Sequence, residues 1–248
     1  MSIRQASAAP SQEWEEGYLQ LDTPEQAARK NFRRLQQSGL LQHLRPEMRV
    51  LDLCCGRGPT LRALAPTSTQ LVGLDLSCSL LRLALHEGFR RLVCADSSIL
   101  PFDADSFDVV IVQGGLHHLT SDQFHRALSE IDRVLKPGGY FVFTEPANTW
   151  ALRLYIALVD TPLCHLTSYT RTWRKIFDLE RQTYFPWLKN QGRALVLISQ
   201  RMELLRVTKG LVTLVGLARS RKSLGVAASS LMREHAARPW ISSQTDGS

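Results

Sequence analysis

An apolar run that contains an acid and is followed by two closely spaced glycines has the residue types of a ligand-binding loop. The segment V-L-D-L-C-C-G-R-G-P, residues 50–59, holds Asp52, Gly56 and Gly58, and Pro59 opens a helical pattern. A Cβ at either glycine would obstruct a ligand lying against the backbone. A helix N-terminus behind such a loop adds N–H groups and a positive dipole end. The spacing therefore indicates a nucleotide-like ligand held between a strand and a helix.

Three further apolar runs end in polar residues whose types suit the same kind of ligand. Asp75 lies about 20 residues past the glycine loop, where doubly wound sheets place the carboxylate that binds ribose hydroxyls. Asp96 ends the next run and has the chemistry to accept a hydrogen bond from an adenine amino group, while Leu76 has the shape to cover the ring. Gln113 ends the fourth run. The alternative for each acid is a helix N-cap or a turn, which are common places for aspartate.

The pattern D-x-x-x-G-x-G distinguishes between two nucleotide-binding families. A dinucleotide fingerprint requires a small third residue in G-x-G-x-x-G, but Leu61 stands there and Asp52 lies inside the strand. The pattern instead resembles the first motif of class I S-adenosylmethionine-dependent methyltransferases. Together with the L-K-P-G-G turn at residues 135–139, the four runs resemble the methyltransferase type 11 group, which includes ubiquinone/menaquinone-type C-methyltransferases. The resemblance covers residues 46–146.

This resemblance implies both a fold and a cofactor. The expected fold is α/β, a Rossmann-like, doubly wound and mostly parallel seven-stranded sheet with an antiparallel edge hairpin and a helical cap. The expected cofactor is S-adenosyl-L-methionine, and no metal is expected. The residues that the resemblance places at the cofactor are Asp52, Gly56, Gly58, Asp75, Leu76, Asp96, Ser97 and Gln113.

Methyl transfer from a sulfonium requires alignment of the reacting atoms and, for some acceptors, removal of a proton. His117 and His118 follow the fourth strand, and Glu145 follows the fifth, so these three are the candidate catalytic residues. A histidine titrates near neutral pH and suits a general base. The alternative for the histidines is that one or both only hydrogen-bond the loop and the start of the next helix. Glu145 is a candidate to orient or deprotonate the acceptor.

The acceptor is expected to be an apolar or aromatic small molecule, a secondary metabolite or a quinone-like compound, methylated at oxygen or carbon. The segment after the fourth strand lacks the N/D-P-P-Y-like stretch that typifies methyltransferases of nucleic-acid amines. Trp14, Tyr18, Tyr169 and Trp173 are the candidate acceptor-binding aromatics. The alternatives are a methyltransferase of RNA or protein, a non-catalytic protein that binds the cofactor, and a nicotinamide-dependent oxidoreductase.

The motifs divide the chain into three predicted parts. Residues 1–45 form an N-terminal tail and helical cap, whose second helix starts at Thr23-Pro24. Residues 46–220 form the methyltransferase core, with residues 147–200 as an inserted substrate cap. Two apolar segments around Thr208-Lys209-Gly210 predict the edge hairpin. Residues 221–248 are predicted to be a basic, partly disordered tail.

Charge and cysteine content restrict the partners further. The net charge is +7, and residues 150–248 hold 15 basic and 6 acidic side chains, against 15 and 17 in residues 1–149. Nucleic acid is therefore not expected on the cofactor domain. The five cysteines show no disulfide or C-x-x-C pattern, which predicts reduced thiols. With no apolar run that could serve as a signal peptide or membrane span, a cytoplasmic protein is expected. The oligomeric state is open.

Overall fold

A computed structural model of the chain describes residues 12–68, 70–159 and 187–222. The candidate acceptor residues Tyr169 and Trp173 lie outside the described residues, as does almost all of the predicted tail. The predicted domain boundaries stay a prediction.

Seven strands in the described ranges form one mixed sheet. They are β1 (Arg49–Leu53), β2 (Gln70–Asp75), β3 (Leu92–Cys94), β4 (Phe107–Gln113), β5 (Leu135–Pro146), β6 (Met202–Lys209) and β7 (Thr213–Ser220). Their order is β3-β2-β1-β4-β5-β7-β6. The first five pair in parallel, and β7 runs antiparallel to both β5 and β6. The predicted doubly wound sheet with an antiparallel edge hairpin is confirmed.

Helices connect the strands and precede the sheet. They are α1 (Gln12–Leu21), α2 (Pro24–Ser38), α3 (Pro59–Leu64), α4 (Cys78–His86), α5 (Ser121–Val134) and α6 (Trp150–Val159), and residues 187–201 are also helical. Short 3-10 turns cover Leu40–Gln42 and Leu116–His118. No helix in the part of the chain that the structure describes has the length and apolar content to span a bilayer.

The start of α2 follows from its sequence. The Thr23 hydroxyl accepts a hydrogen bond from the Gln26 backbone N–H at 3.2 Å, and the Gln26 side chain accepts one from the Thr23 N–H at 3.0 Å. This reciprocal pair satisfies two of the N–H groups that a helix start leaves unpaired. Gly39 ends the helix with φ +85°. The predicted start at Thr23-Pro24 is confirmed.

The core lies on both faces of the sheet. Along β4, Val110 and Val112 belong to one buried cluster, whereas Val109 and Ile111 belong to the other. A sheet covered on both faces needs such a continuous apolar strand, in contrast to the alternation of a half-exposed one. Trp187 is 1% exposed in the first cluster, and its indole N–H donates to the Pro146 carbonyl at 3.0 Å.

The L-K-P-G-G segment differs from a simple turn between helix and strand. Leu135 pairs with Phe107 directly after α5, and the next pair is Tyr140 with Val109. Residues 136–139 therefore form a bulge inside β5, and Gly138 adopts φ +71° within it. The bulge displaces the extra residues from the pairing while the rest of β5 keeps its register with β4.

The expectation that all cysteines are reduced is wrong for one pair. Cys78 and Cys94 form a disulfide, with Cα atoms 5.4 Å apart. The parallel pairing of β2 with β3 sets Asp75 beside Cys94, and Cys78 follows Asp75 by one short turn. Their separation of 16 residues matches no sequence motif, so only the strand pairing shows their proximity. The cytoplasmic location loses this support and stays a prediction.

Candidate active site

The glycine loop leads from the carboxyl end of β1 into α3 and contacts the carboxyl end of β2. Gly56 and Gly58 adopt φ +53° and φ +86°, the left-handed region that favours glycine. The Gly56 N–H donates to Asp75 Oδ2 at 2.7 Å, and the Cys55 N–H donates to the Leu74 carbonyl at 3.0 Å. The structure thus brings together the two predicted motifs that are 19 residues apart in the sequence.

Asp75 is oriented by backbone groups on both of its oxygens. Its Oδ1 accepts from the Ser77 N–H at 2.8 Å, while the Ser77 hydroxyl caps α4 by accepting from the Leu80 N–H at 3.1 Å. Burial raises the pKa of Asp75, and the hydrogen bonds from Ser77 and Gly56 oppose that rise. Each carboxylate oxygen has a second lone pair. The Leu76 N–H is a further backbone donor to this carboxylate, so Asp75 keeps acceptor capacity for a ligand hydroxyl group.

Two buried acceptors lie behind the glycine loop without a partner. Among the residues that the structure describes, Asp52 Oδ2 and Gln113 Oε1 accept no hydrogen bond. Gln113 Nε2 instead donates to the Asn31 carbonyl at 3.4 Å and lies 3.5 Å from the Thr60 hydroxyl. A buried unpaired acceptor costs about 1–3 kcal/mol. The two oxygens fit a ligand that brings N–H donors, such as the ammonium group of an amino acid.

Asp52 supports a prediction on pH. Burial, and then the charge of Asp75, raise the pKa of Asp52 well above its ordinary value of 3.8. Because the folded state favours the protonated form, the stability from Asp52 is present below that value and is lost as pH rises. Asp52→Asn removes the titration of this group, so the variant should gain stability relative to the wild type as pH rises above about 4. Urea denaturation of both proteins across this range measures the gap. A gap that stays constant with pH contradicts the prediction.

The residues predicted at the adenine ring lie at the end of β3. Asp96 Oδ1 accepts from the Ser98 N–H at 2.8 Å, and the Ala95 N–H donates to the Asp75 carbonyl at 3.0 Å. Asp96 is half-buried and Ser97 is buried. Asp96 thus also forms the local turn that was its structural alternative, and the adenine-binding roles of Asp96, Ser97 and Leu76 stay predictions.

Glu145 holds the loop that follows β4. It is 1% exposed and accepts from the N–H groups of Gly115, Leu116 and His117 at 3.1, 2.8 and 3.3 Å. Its Oε2 also lies 2.7 Å from His117 Nδ1. A carboxylate that accepts four hydrogen bonds is fixed in place. This geometry favours a role for Glu145 in holding the loop, and its predicted roles of orienting or deprotonating the acceptor stay predictions.

The two histidines of this loop lie side by side. Their ring centroids are 4.0 Å apart, with His117 buried and His118 half-buried. The loop closely approaches the glycine loop, since a Cβ on Gly115 would lie 2.7 Å from Cys54 Cβ. The predicted catalytic and cofactor-binding motifs therefore meet at one edge of the sheet.

Helix α1 lies against the glycine loop. Glu15 accepts a hydrogen bond from the Ser77 hydroxyl and another from the Ser79 hydroxyl, the latter at 2.5 Å. The Tyr18 hydroxyl is 3.0 Å from where a Cβ on Gly56 would lie. Tyr18 was predicted to bind the acceptor, but the structure places it beside the proposed cofactor loop. Trp14 belongs to α1, and its side chain is outside the described part of the structure.

Comparison with known proteins identifies this arrangement. Residues 51–143 match the family model described as a methyltransferase domain. The chain carries a class I methyltransferase domain. The cofactor of this domain is S-adenosylmethionine, and the unpaired oxygens of Asp52 and Gln113, together with the glycine loop, fit such a ligand.

Curated relatives share the methyltransferase domain over part of their length. The chain is 36% identical over 123 residues to an uncharacterized methyltransferase of Synechocystis, covering 47% of the chain and 58% of that protein. It is 33% identical over 168 residues to a demethylmenaquinone methyltransferase of Clavibacter sepedonicus, covering 60% of the chain and 66% of the relative. The chain thus spans less than two thirds of these relatives.

A solved structure supports the fold. The N-methyltransferase NodS from Bradyrhizobium japonicum, in complex with S-adenosyl-L-homocysteine, superposes with a TM-score of 0.55 at 14% identity. The match covers 85% of this chain and 99% of NodS. At this identity the comparison shows that the architecture of the methyltransferase domain is shared.

Proposed function

We propose that the chain transfers a methyl group from S-adenosylmethionine to an oxygen or carbon of an apolar or aromatic small molecule. The observation that carries the proposal is the meeting of three loops at the carboxyl edge of the sheet. One loop carries the glycines, one carries Asp75, and the third is held by Glu145 and carries the two histidines. Ligands of open α/β sheets bind in this position.

The chemistry divides between the cofactor and the protein. When bound, S-adenosylmethionine supplies a methyl group on a positively charged sulfur. Asp75, Asp52 and Gln113 are proposed to hold and orient it, and Leu76, Asp96 and Ser97 to flank its base. The chain must then align the acceptor and exclude water, which lowers the barrier mainly through positioning.

His117 and His118 are proposed to move the acceptor proton. In neutral His117, an Nδ1–H that donates to Glu145 makes Nε2 the basic nitrogen. His118 lies against His117 and is the more exposed of the two rings. Glu145 fixes the backbone from Gly115 to His117, so it positions the bases rather than reacting itself.

The finer part of the proposal concerns the identity of the acceptor, which we propose to be a quinone-like compound of the naphthoquinol type. It rests on the relative named as a demethylmenaquinone methyltransferase and on the absence of an N/D-P-P-Y-like stretch after β4. Incubation with methyl-labelled S-adenosylmethionine and a prenylated naphthoquinol tests it, and the expected result is label in the quinol.

RNA is the second candidate acceptor because residues 150–248 carry a large excess of positive charge. The same labelled cofactor, offered with total tRNA, tests this reading. Label in tRNA and none in the quinol would favour RNA over the small molecule.

Cofactor binding gives the quantitative test. Asp75→Ala should weaken binding of S-adenosylhomocysteine by about 1–3 kcal/mol, which is about 5- to 150-fold, because it removes charge-assisted acceptors of the ribose hydroxyls. Titration calorimetry measures the affinity, and Asp103→Ala, at an exposed acid, is the matched control. Equal affinity of a folded Asp75→Ala protein and the control would remove Asp75 from the site.

A further inference from the structure

One face of α2 contacts the part of the proposed site that Thr60 and Gln113 form. Asn31 Nδ2 donates to the Thr60 hydroxyl at 3.0 Å, and the Asn31 carbonyl accepts from Gln113 Nε2 at 3.4 Å. Thr60 is in the first turn of α3, and Gln113 ends β4. Arg34 follows Asn31 by three residues, so it lies on the same face of the helix, one turn further on.

Arg34 has little of the pairing that a half-buried guanidinium requires. Its one hydrogen bond runs from Nη1 to Asn31 Oδ1 at 3.2 Å, and no carboxylate in the described ranges lies within 4.0 Å of it. By contrast, Arg62 pairs with Glu87, and Arg133 pairs with Glu130. A guanidinium has five N–H donors. Most donors of Arg34 therefore have no partner among the residues that the structure describes.

The acidic groups around Arg34 come from two parts of the proposed site. Burial lowers the pKa of Arg34, and the acidic groups that oppose this are Asp22, Glu145 and Tyr18. Asp22 and Tyr18 belong to the segment that lies on the glycine loop, whereas Glu145 holds the histidine loop. Both segments are therefore close enough to influence the charge of Arg34, and its hydrogen bond to Asn31 places it next to the contacts that Asn31 makes with Thr60 and Gln113.

We propose that Arg34 is an anion-binding residue that pairs with a carboxylate or an ionised oxygen of a ligand at the methyl-transfer end of the site. The inference rests on the proposed function. The planar fork of a guanidinium binds such groups through two parallel hydrogen bonds. Nearby, Asp52 Oδ2 and Gln113 Oε1 lack donors, so within the described ranges the region presents unpaired acceptors beside a cation that has no carboxylate partner. This combination matches the ammonium and carboxylate of an amino acid.

The anion has two possible sources, which differ in the ligand that carries it. The amino-acid end of the cofactor brings a carboxylate, and an acidic acceptor brings an ionised oxygen. S-adenosylhomocysteine contains the amino-acid end, whereas 5′-methylthioadenosine has the same adenine and ribose without it. Binding of these two compounds therefore separates the sources without any turnover.

The test compares Arg34→Gln with Arg33→Gln, a neighbouring exposed arginine of α2, by titration calorimetry. If Arg34 binds the cofactor carboxylate, Arg34→Gln lowers the affinity for S-adenosylhomocysteine at least tenfold and leaves the affinity for 5′-methylthioadenosine unchanged. If it binds the acceptor, both affinities stay unchanged and the KM for the quinol rises at least tenfold. Arg34→Lys, which keeps the charge, should recover part of the loss in either case.

Two outcomes would overturn the inference. One is a folded Arg34→Gln protein with unchanged affinities and an unchanged KM. The other is equal weakening of both nucleosides, which indicates a role in the fold alone. If the wild type itself binds neither compound, the proposed function fails, and the inference fails with it. Thermal unfolding of each variant confirms that the protein is folded.

Discussion

Replacing Glu145 by alanine should lower the free energy of unfolding by about 3–5 kcal/mol, the size expected when one partner of a buried pair is removed. Glu145 is 1% exposed and accepts from three backbone N–H groups. Its Oε2 also lies 2.7 Å from Nδ1 of His117, whose side chain is buried as well. Without the carboxylate, all of these donors stay buried with no acceptor, and each one carries a desolvation cost.

Urea denaturation of Glu145→Ala measures this loss. Glu145→Gln is the matched control, since the amide keeps the shape and one acceptor oxygen but points an NH₂ group at other donors. We expect the glutamine variant to lie between the alanine variant and the wild type. If alanine costs less than about 1 kcal/mol, the hydrogen bonds of Glu145 do not hold the loop.

Gly216→Ala should be the second large effect, at about 3 kcal/mol, the upper end for overpacking a core. Gly216 pairs with Phe143 across β5 and β7. A Cβ at this glycine would lie 2.0 Å from Phe143 Cζ, which is far inside van der Waals contact. The Phe143 ring is fully buried and has no solvent side into which it could move. The strands must therefore separate locally, or the ring must leave its rotamer.

Thermal and urea unfolding of Gly216→Ala test this prediction. Gly192→Ala is the control, because that glycine lies in the helical residues 187–201 and a Cβ there meets no atom within 4 Å. Alanine in a helix interior gains about 1 kcal/mol over glycine, so the two substitutions should have opposite signs. A stable Gly216→Ala protein would show that the close Phe143 contact is not present.

The sheet could be predicted because its signals are local. Each parallel strand is a short apolar run bounded by turn residues, as in V-L-D-L before Gly56, and the burial of both faces makes that run continuous. The start of α2 could also be predicted, since its signals, Thr23, Pro24 and Gln26, lie within four positions of the sequence. Asp75 met the glycine loop as predicted because the parallel pairing of β1 and β2 aligns their ends.

The contacts that sequence reasoning missed link residues far apart in the chain. Glu15 bonds Ser77 across 62 positions, and Glu145 bonds Leu116 across 29. Neither pair has a spacing rule, because the loops and helix packing set these distances. The Cys78–Cys94 disulfide is similar, since it depends on the pairing of β2 with β3. For Arg34, the available sequence signal is its position three residues after the polar Asn31, on a helix that faces the core.

Glu145 anchors the histidine loop through backbone N–H groups, so the course of the loop's main chain depends little on the loop's own side chains. Because the carboxylate of a neighbouring strand holds Gly115, Leu116 and His117 by their N–H groups, the loop keeps its course whichever side chain stands at His118. A substitution at His118 can therefore change the chemistry of the loop while its main chain keeps its course. The same property makes His118→Asn informative, because a loss of activity would report on the proposed proton transfer and not on a rearranged loop.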